Sequence, residues 1–407
     1  MVDFRGCVAL RPAPGKAAAV ASVPYDVVNT EEARALAAGN PDSLLHATRP
    51  EIDLPEGTDP HSSPVYAQAA AAFQALQDRG VLVRAEGRAL YAYALTFEGH
   101  TQLGLMGTAS QADYWADRIK KHEHTRPAKE DDRMRHIQAV RAHLGPVFLA
   151  YRAQAHIDAR MAALTAGPAE VDFVAVDGVR HRIWPIADAT ALAALEADFA
   201  ALDALYIADG HHRAAAASRV GRDAPEGAAH DDQRRFLAVA FPHDQLRILP
   251  YNRVVADLNG HSPAGLMAAL AVDFEVAPLP GPEAPSAPLT FTMFVDGGWH
   301  RLTLRPERAP DAADPMARLD VSVLQDRVLG PLLGIADPRR DERIDFVGGI
   351  RGVPVLATRA GAAGVAFALF PTGMADLMAI ADAGEVMPPK STWFEPKLRS
   401  GLVISTF

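Results

Sequence analysis

Apolar and polar residues alternate with the two-residue period of a β-strand in several parts of the chain. Residues 89–97 and 102–110 alternate on either side of a short polar step at 98–100, which predicts a β-hairpin. The same pattern around Asp-Gly steps predicts hairpins at 173–185 and 289–304. Single strands are expected at 147–152, 204–208, 235–242, 247–255, 344–347 and 364–370.

Helical signals separate these strands. Thr30, followed by two glutamates, predicts a helix start, because threonine can cap a helix and acids favour its positive end. This helix is expected to run to about residue 38. Further helices are expected at 65–79, 214–220, 321–333 and 374–383. The mixture predicts an α+β fold with antiparallel-rich sheets and flanking helices.

Five prolines between residues 278 and 288 mark a candidate domain boundary. They separate a main α+β domain, 1–276, from a C-terminal α+β region, 289–407, that packs on it. The same segment is consistent with a long loop, because similar patterning resumes on both sides.

The composition narrows the class of function. Fifty acidic against forty basic residues give the 407-residue chain a formal charge of −10, so it has no electrostatic reason to coat nucleic acid or an anionic membrane. The chain opens without an apolar signal core and contains no run long enough to span a membrane, so we expect a cytoplasmic protein. The single cysteine, Cys7, fits a reducing compartment and excludes multi-cysteine metal sites.

The strongest chemical signal is the polar run Asp209-Gly210-His211-His212-Arg213, between an apolar strand and an alanine-rich helix. A helix N-terminus offers unpaired N–H groups, and glycine lets an anion approach the backbone closely. Together with histidine and arginine donors, this predicts a small-anion site suited to phosphate or carboxylate. The aspartate could hold a metal or take a proton. The alternative is an aspartate cap beside two surface histidines.

A second charged run covers residues 119–133, eleven of which are ionisable. Pro127 argues against one continuous helix, so we expect a loop through Pro127 and a helix directly after it. That arrangement would bring His122, Arg126 and Lys129 near a helix start, whereas a solvated helix face is the alternative. The two histidines of the run have HxH spacing, a weak metal signal that lacks the zinc-protease pattern.

Two smaller polar clusters complete the candidates. Tyr25 and Asp26 form a turn with an aromatic platform and a carboxylate, although a purely structural turn is the alternative. Lys390 and Lys397 accompany serine and threonine donors near the C-terminus, where the alternative is an arm that packs two aromatic residues. Phosphate-loop, dinucleotide-binding, nucleophile-elbow and protein-kinase signatures are absent from the sequence.

These clusters closely resemble the prokaryotic family catalogued as domain of unknown function 1015. The resemblance rests on residues 121–133 and 209–213, and it continues in the same order through 23–26, 40–41, 104–114, 241–242, 249–253 and 390–401. It therefore spans nearly the whole chain. The strand, polar run and helix around residue 210 also resemble the phosphate-binding corner of the ParB/sulfiredoxin superfamily, which includes nucleotide-binding proteins and free-serine kinases.

The second resemblance implies phosphate contacts for Gly210, His212 and Arg213. In that superfamily a nearby glutamate serves as base, and Glu123 and Glu130 are the candidates here. His211 occupies the position of the sulfiredoxin cysteine, which disfavours sulfiredoxin chemistry. Members of the first family also tend to accompany serine-biosynthesis enzymes.

We therefore expect a phosphoryl-transfer enzyme acting on a small phosphorylated metabolite. A phosphatase for phosphoserine is favoured because no nucleoside pocket is recognisable, and a serine kinase is the alternative. A regulator that binds a nucleotide or phosphometabolite without turnover, or a structural protein, are further alternatives. The candidate catalytic residues are Asp209, His211, His124, Glu123 and Glu130. The candidate phosphate- or substrate-binding residues are Gly210, His212, Arg213, Lys121, His122, Thr125, Arg126, Lys129, Arg133, Tyr25, Asp26, Lys390 and Lys397. Mg²⁺ is the candidate cofactor, and no metal-ligand set is predicted.

Overall fold

The computed structural model describes residues 1–225, 227 and 230–407, and its contacts divide the chain into two compact units. The first unit comprises Met1–Leu246 and Pro396–Phe407, and the second comprises Arg247–Glu395. This division differs from the expected boundary at 277–288. The proline-rich segment lies inside the second unit, where it connects two strands of one sheet, Phe274–Leu279 and Thr290–Val295.

The first unit contains a nine-stranded and a four-stranded sheet. Its strands are β1 (Phe4–Arg5), β2 (Ala9–Pro12), β3 (Leu82–Arg84), β4 (Leu90–Phe97), β5 (His100–Ser110), β6 (Ile119–Lys120), β7 (Ala142–His143), β8 (Val147–Tyr151), β9 (Val171–Val174), β10 (Arg180–Ile186), β11 (Leu205–Asp209) and β12 (Arg235–Pro242), with β21 (Ile404–Thr406) returning from the C-terminal segment. The large sheet has the order β6-β11-β8-β12-β5-β4-β10-β9, with β1 paired to β5, and the small sheet has the order β3-β2-β21-β7.

Nine α-helices accompany these sheets in the described part of the first unit. They are α1 (Ala17–Val20), α2 (Thr30–Ala37), α3 (Leu45–Thr48), α4 (Ser63–Asp78), α5 (Gln111–Trp115), α6 (Pro127–Val140), α7 (Ala155–Leu164), α8 (Ala189–Ala200) and α9 (His211–Arg222). Ala214 to Ala217 of α9 share a buried apolar cluster with Leu149 of β8 and Phe199 of α8. The small alanine side chains let α9 lie close to the large sheet, which fixes the position of its N-terminus.

Local sequence accounts for most of these elements, with one correction at α2. The β4–β5 turn has Glu98 and Gly99 at φ +49° and +78°, the left-handed conformations that a two-residue hairpin turn requires. Asn29, and not Thr30, is the N-cap of α2. The Asn29 side chain accepts from the Glu32 backbone N–H, and the Glu32 carboxylate accepts from the Asn29 N–H, a reciprocal pair that Thr30 cannot make from inside the helix.

The second unit contains a six-stranded sheet of order β15-β17-β16-β19-β14-β18 and the two-stranded pair β13-β20. Its strands are β13 (Arg247–Leu249), β14 (Tyr251–Val255), β15 (Phe274–Leu279), β16 (Thr290–Val295), β17 (Gly298–Leu304), β18 (Ile344–Gly348), β19 (Val365–Ala368) and β20 (Trp393–Glu395). Its α-helices are α10 (Pro263–Leu270), α11 (Asp320–Leu324), α12 (Val355–Ala360) and α13 (Met374–Asp382).

Two predicted elements of the second unit are interrupted. The expected strand 247–255 breaks at Pro250, which has no N–H for a ladder hydrogen bond, so β13 and β14 join different sheets. The expected helix 321–333 is α-helical only to Leu324 and continues as a π-helical turn, Gln325–Leu329. Within the described residues, no helix combines the length and apolar character that a bilayer crossing requires.

Candidate functional site

Gly210 is the single residue between β11 and α9. Its φ of +90° is left-handed, and a Cβ atom there would lie 2.9 Å from the guanidinium carbon of Arg213. Only glycine therefore fits both the backbone and the neighbouring side chain. The predicted strand, polar run and helix are present, but the helix begins at His211 and not at Ala214. His211, His212 and Arg213 therefore form the first turn, whose N–H groups have no intrahelical acceptors.

Arg213 has a side chain that is only 12% exposed. Its Nη1 donates to the Pro146 carbonyl oxygen, while the buried Nε and Nη2 atoms have no hydrogen-bond partner. Burial opposes the charge, but the carboxylates of Asp26 and Asp209 outweigh it and raise the pKa of Arg213 above its ordinary value. Nε and Nη2 are the two parallel donors with which a guanidinium grips a carboxylate or a phosphate. The side chain is thus charged, buried and prepared for an anion.

Asp209 ends β11 at a bulge, where the register with β8 shifts after Ile207. One carboxylate oxygen accepts from the Gly210 N–H at 3.0 Å, and the other lies 3.3 Å from Nζ of Lys397 and 3.7 Å from Nη2 of Arg213. Burial alone would raise the pKa of Asp209, but the charges of Lys397 and Arg213 lower it to about 2. Asp209 is therefore a carboxylate that orients cations.

His211 and His122 pack edge to face, with ring centroids 4.4 Å apart. Nδ1 of His211 lies 3.6 Å from the Glu123 carboxylate. Burial lowers the pKa of His122 to about 4 and that of His211 well below its ordinary value, the latter with help from the neighbouring His122. Both rings are therefore neutral near pH 7 and join the two charged runs through packing.

His212 provides the second contact between the runs. Its Nε2 accepts a hydrogen bond of 3.1 Å from the backbone N–H of Arg126, which places the proton of the neutral ring on Nδ1. Burial and the nearby charge of Lys129 lower the pKa of His212 below its ordinary value. Pro127 is itself the first residue of α6, one residue before the expected start, and the loop before it places the Arg126 backbone N–H against His212 at the start of α9.

Two connected openings adjoin this junction. A cavity of about 50 Å³ is lined by Arg213, Tyr25, His143 and Arg133, among others. Tyr25 and Arg133 also line an adjoining cleft of about 550 Å³, together with Asp26. The Arg133 guanidinium lies 4.1 Å from the centroid of the Tyr25 ring, a cation–π pair whose two members line both openings. Burial raises the pKa of Tyr25 to about 12, so its hydroxyl stays protonated.

The family comparison adds to this geometry. The family model described as protein of unknown function (DUF1015) matches residues 4–322. The chain belongs to the DUF1015 family. No curated protein matches it.

Among solved structures, this DUF1015 chain is similar to SbnI from Staphylococcus aureus, at 13% identity and a TM-score of 0.40, over 72% of this chain and 85% of that one. It is also similar to a free serine kinase in complex with AMP, at 12% identity and a TM-score of 0.36, over 73% and 91% of the two chains. A conserved hypothetical protein from Pyrococcus furiosus is similar at 13% identity and a TM-score of 0.35, over 72% and 93%. These similarities assign no activity to the DUF1015 chain.

Most of the predicted site residues meet around the α9 N-terminus. They are Tyr25, Asp26, His122, Glu123, Arg126, Lys129, Arg133, Asp209, Gly210, His211, His212, Arg213 and Lys397. Their contacts join segments of the DUF1015 chain that are far apart in sequence. Their catalytic and binding roles remain predictions.

Several predicted residues of the DUF1015 chain are engaged elsewhere. Lys121 donates to the Tyr114 carbonyl oxygen at 3.0 Å and stacks on that ring. Glu130, predicted as a base, accepts from the hydroxyl of Thr125 and from Nη1 of Arg219, so it ties α6 to α9. His124 is exposed on the loop before α6. Lys390 belongs to the second unit, where its ammonium lies 5.2 Å from the centroid of the Tyr251 ring.

The sequence reasoning missed one side of the cleft. Arg49, Glu51, His61 and Tyr66 line it, and so does Asp132 of α6. Asp132 lay inside the charged run but was not singled out, since an aspartate among alternating charges carries no local signal. The others become neighbours only when α4 packs on α6, a long-range contact that no local pattern indicates.

Proposed function

We propose that this protein is a phosphoryl-transfer enzyme that acts on a small phosphorylated metabolite. The observation that carries the proposal is the buried guanidinium of Arg213, in which Nε and Nη2 have no hydrogen-bond partner and Nη2 lies 3.7 Å from the Asp209 carboxylate. An unpaired buried donor on a charged group costs free energy, and a bound anion removes that cost. Phosphoryl transfer requires positioned cations and N–H donors, since its transition state spreads negative charge over the phosphoryl oxygens.

The small cavity suits the phosphoryl group. Its volume of about 50 Å³ has room for about three to four water-sized atoms, which is the scale of the phosphoryl oxygens. Arg213 would hold these oxygens with its two free donors, and the first-turn N–H groups of α9 would add the positive end of a helix dipole. Asp209 and Lys397 would keep the guanidinium in place.

The adjoining cleft suits the rest of the substrate. Its volume of about 550 Å³ lies in the range of small-molecule sites, and cations from α6 line it, among them Lys129 and Arg133. Arg126 lies at the loop that contacts His212. These cations would hold the carboxylate or a second anionic group of the metabolite.

Asp26 is the carboxylate best placed to accept a proton. It is exposed, lines the cleft, and acts electrostatically on both Arg213 and His212. Asp209 and Glu130, by contrast, are held by cations. In hydrolysis, the water oxygen would bond to phosphorus while Asp26 takes one of its protons, and the ester oxygen would take up a proton as it leaves.

Phosphoserine is the leading substrate and hydrolysis the leading reaction. The cleft carries charges of both signs, which suits a metabolite with a carboxylate and an ammonium group. A serine kinase is the second candidate, because the cleft has more room than an amino-acid phosphate fills and is lined by two tyrosine rings on which the base of a nucleotide could stack.

Among the described residues, no three histidine, cysteine or acidic side chains converge on one metal position. Mg²⁺, if bound through one or two carboxylates and the substrate phosphate, would add charge stabilisation, and no step above depends on it.

The test is phosphate release from L-phosphoserine and a panel of small phosphate monoesters, with and without Mg²⁺. Companion reactions contain serine with ATP, ADP or pyrophosphate and are assayed for phosphoserine. Arg213→Ala is compared with Arg222→Ala, an exposed arginine at the other end of the same helix. Phosphate release supports a phosphohydrolase if Arg213→Ala abolishes it and Arg222→Ala leaves it intact.

The other outcomes separate the alternatives. Phosphoserine formed only with a nucleotide or pyrophosphate donor supports the kinase. Tight binding of phosphoserine or a nucleotide, lost in Arg213→Ala but without turnover, supports a phosphometabolite-binding regulator. If the folded wild-type protein neither turns over nor binds any of these compounds, the proposal is wrong.

A further inference from the structure

His61 lies at the rim of the cleft, in the loop before α4, and its side chain is 62% exposed. Its Nδ1 lies 2.9 Å from Oδ1 of Asp132 on α6. A carboxylate at Nδ1 accepts the ring proton there, which leaves the lone pair of Nε2 directed away from the carboxylate. This is the arrangement by which enzymes orient a histidine that exchanges protons through Nε2.

Asp132 is firmly held, so the histidine has a fixed partner. Its side chain is 11% exposed. Its Oδ1 also accepts from the Tyr66 hydroxyl at 2.8 Å, and its Oδ2 accepts from Nε of Arg133 at 2.8 Å. Burial alone would raise the pKa of Asp132, but the Arg133 charge and these hydrogen bonds lower it overall. The carboxylate therefore stays charged and fixed beside Nδ1 of the imidazole.

A second histidine–aspartate pair shows what is particular to His61. His46 has Nδ1 2.8 Å from Asp53, an equally short contact. Its Nε2, however, is 3.1 Å from the Asn40 carbonyl oxygen, and His46 does not line the cleft. Both ring nitrogens of His46 are used inside the fold, whereas Nε2 of His61 has no hydrogen bond to any described residue.

We infer that His61 is the acid–base residue that exchanges a proton with the ester oxygen of the substrate, and that Asp132 and Tyr66 are its positioning residues. This inference rests on the proposed function. In hydrolysis, the water oxygen bonds to phosphorus and gives one proton to Asp26, while the phosphorus–oxygen ester bond breaks and the ester oxygen takes the Nε2 proton of the doubly protonated His61 ring, which is left with its proton on Nδ1. In the kinase direction, the serine hydroxyl gives its proton to Nε2 as its oxygen bonds to phosphorus and the nucleotide diphosphate leaves.

The first test compares His61→Gln with His46→Gln across the pH range. His61→Gln should lower kcat/KM for the true substrate about 10²- to 10⁴-fold and remove one limb of the pH–rate profile, whereas His46→Gln should change neither. Imidazole in the buffer should partly restore His61→Ala. The charged groups around the ring are Asp132, Arg133 and Arg135 of α6 and Asp59 of its own loop. Tyr66 of α4 is a neutral titratable neighbour, and all of these residues stay unchanged in both variants.

The result that overturns the inference is a His61→Gln enzyme with the wild-type pH profile and kcat/KM within about 3-fold. If Arg213→Ala is inactive in that experiment, the proposed function stands and only the role of His61 falls. A second measurement needs no turnover: inorganic phosphate is titrated into the wild-type protein while the imidazole NMR signals are followed. The His61 signals should move and the His46 signals should not, and unmoved His61 signals at saturating phosphate would refute the inference.

Discussion

Arg213 in the first unit and Arg253 in the second are both largely buried, and their guanidinium groups are held in opposite ways. Arg253 in the second unit is 4% exposed and donates to three carbonyl oxygens, those of Tyr251, Pro389 and Lys390. Its guanidinium also lies 4.6 Å from the centroid of the Phe346 ring. Arg213 in the first unit makes one carbonyl contact and leaves Nε and Nη2 unpartnered.

The difference shows how burial and partners together distinguish two uses of the same residue. Arg253 fastens a loop in which Lys390 has a left-handed φ of +57°, a conformation that is costly for a lysine. Its donors are used within the fold, so its role is structural. Arg213 instead has two buried donors without a hydrogen-bond partner, which is the basis of the proposed ligand contact.

The largest expected effect is the loss of activity on changing Arg213. Arg213→Ala should lose about 2–4 kcal/mol of transition-state stabilisation, because the two free donors act on the phosphoryl oxygens. Arg213→Lys should lose nearly as much, since an ammonium cannot make the paired contact. Steady-state kcat/KM and the free energy of unfolding of each variant are measured together. If the free energy of unfolding falls by as much as the loss in kcat/KM corresponds to, Arg213 is a structural residue like Arg253.

Arg253→Met should have the reverse profile. It removes the donor to three carbonyl oxygens in partly buried contacts, at about 1 kcal/mol each, so the free energy of unfolding should fall by about 2–3 kcal/mol. Denaturant unfolding followed by tryptophan fluorescence checks this, with Arg305→Ala as the control. Arg305 donates only to Ala271 at the surface, and its loss should cost about 0.5 kcal/mol. If Arg253→Met and Arg305→Ala are equally stable, Arg253 does not stabilise the fold through its three hydrogen bonds.

The polar junction between β11 and α9 could be predicted because its residues are contiguous. A strand, a glycine, two histidines and an arginine in sequence carry their own geometry, and the structure needed only to move the helix start from Ala214 to His211. The approach of residues 119–133 was expected from the helix start after Pro127. The sequence alone was enough to predict a cluster wherever its side chains lay within about one helical turn of each other along the chain.

The rest depends on contacts that no local pattern encodes. His61, Tyr66 and Asp132 converge only through packing of α4 on α6. The division into units was likewise hidden, because β21 returns to the first unit by pairing with β2 and β7. Glu130 pairs with Arg219 of α9, a tertiary contact as well, so a charge run alone could not separate the residues that face the cleft from those that hold the helices together.

A smaller effect tests whether the backbone at Gly210 serves Arg213. Gly210→Ala and Gly39→Ala both force an alanine into a left-handed conformation, with φ +90° and +71°, and each should cost about 1–2 kcal/mol of stability. At Gly39 the new Cβ meets open space, whereas at Gly210 it displaces the guanidinium of Arg213. Only Gly210→Ala should therefore lower kcat/KM, by about 10-fold or more. An active Gly210→Ala enzyme would mean that the guanidinium position is unimportant.

The finest test compares two buried aspartates as the pH changes. Lys397 and Arg213 outweigh burial and hold the pKa of Asp209 at about 2, so its stabilising contribution is full above the ordinary value and is lost only as the pH falls through that range. Asp320 in the second unit accepts only two backbone N–H groups, and burial raises its pKa to about 7. In the folded protein Asp320 binds a proton that it has lost in the unfolded chain, so the free energy of unfolding should fall between pH 4 and pH 7 by about 1 kcal/mol per pH unit.

Asp320→Asn should remove this slope in denaturant unfolding measured from pH 4.5 to 7.5, while Asp209→Asn should leave it in place. An unchanged slope in Asp320→Asn would mean that this carboxylate is charged in the folded protein. Burial without a neighbouring cation would then not control the protonation of Asp320.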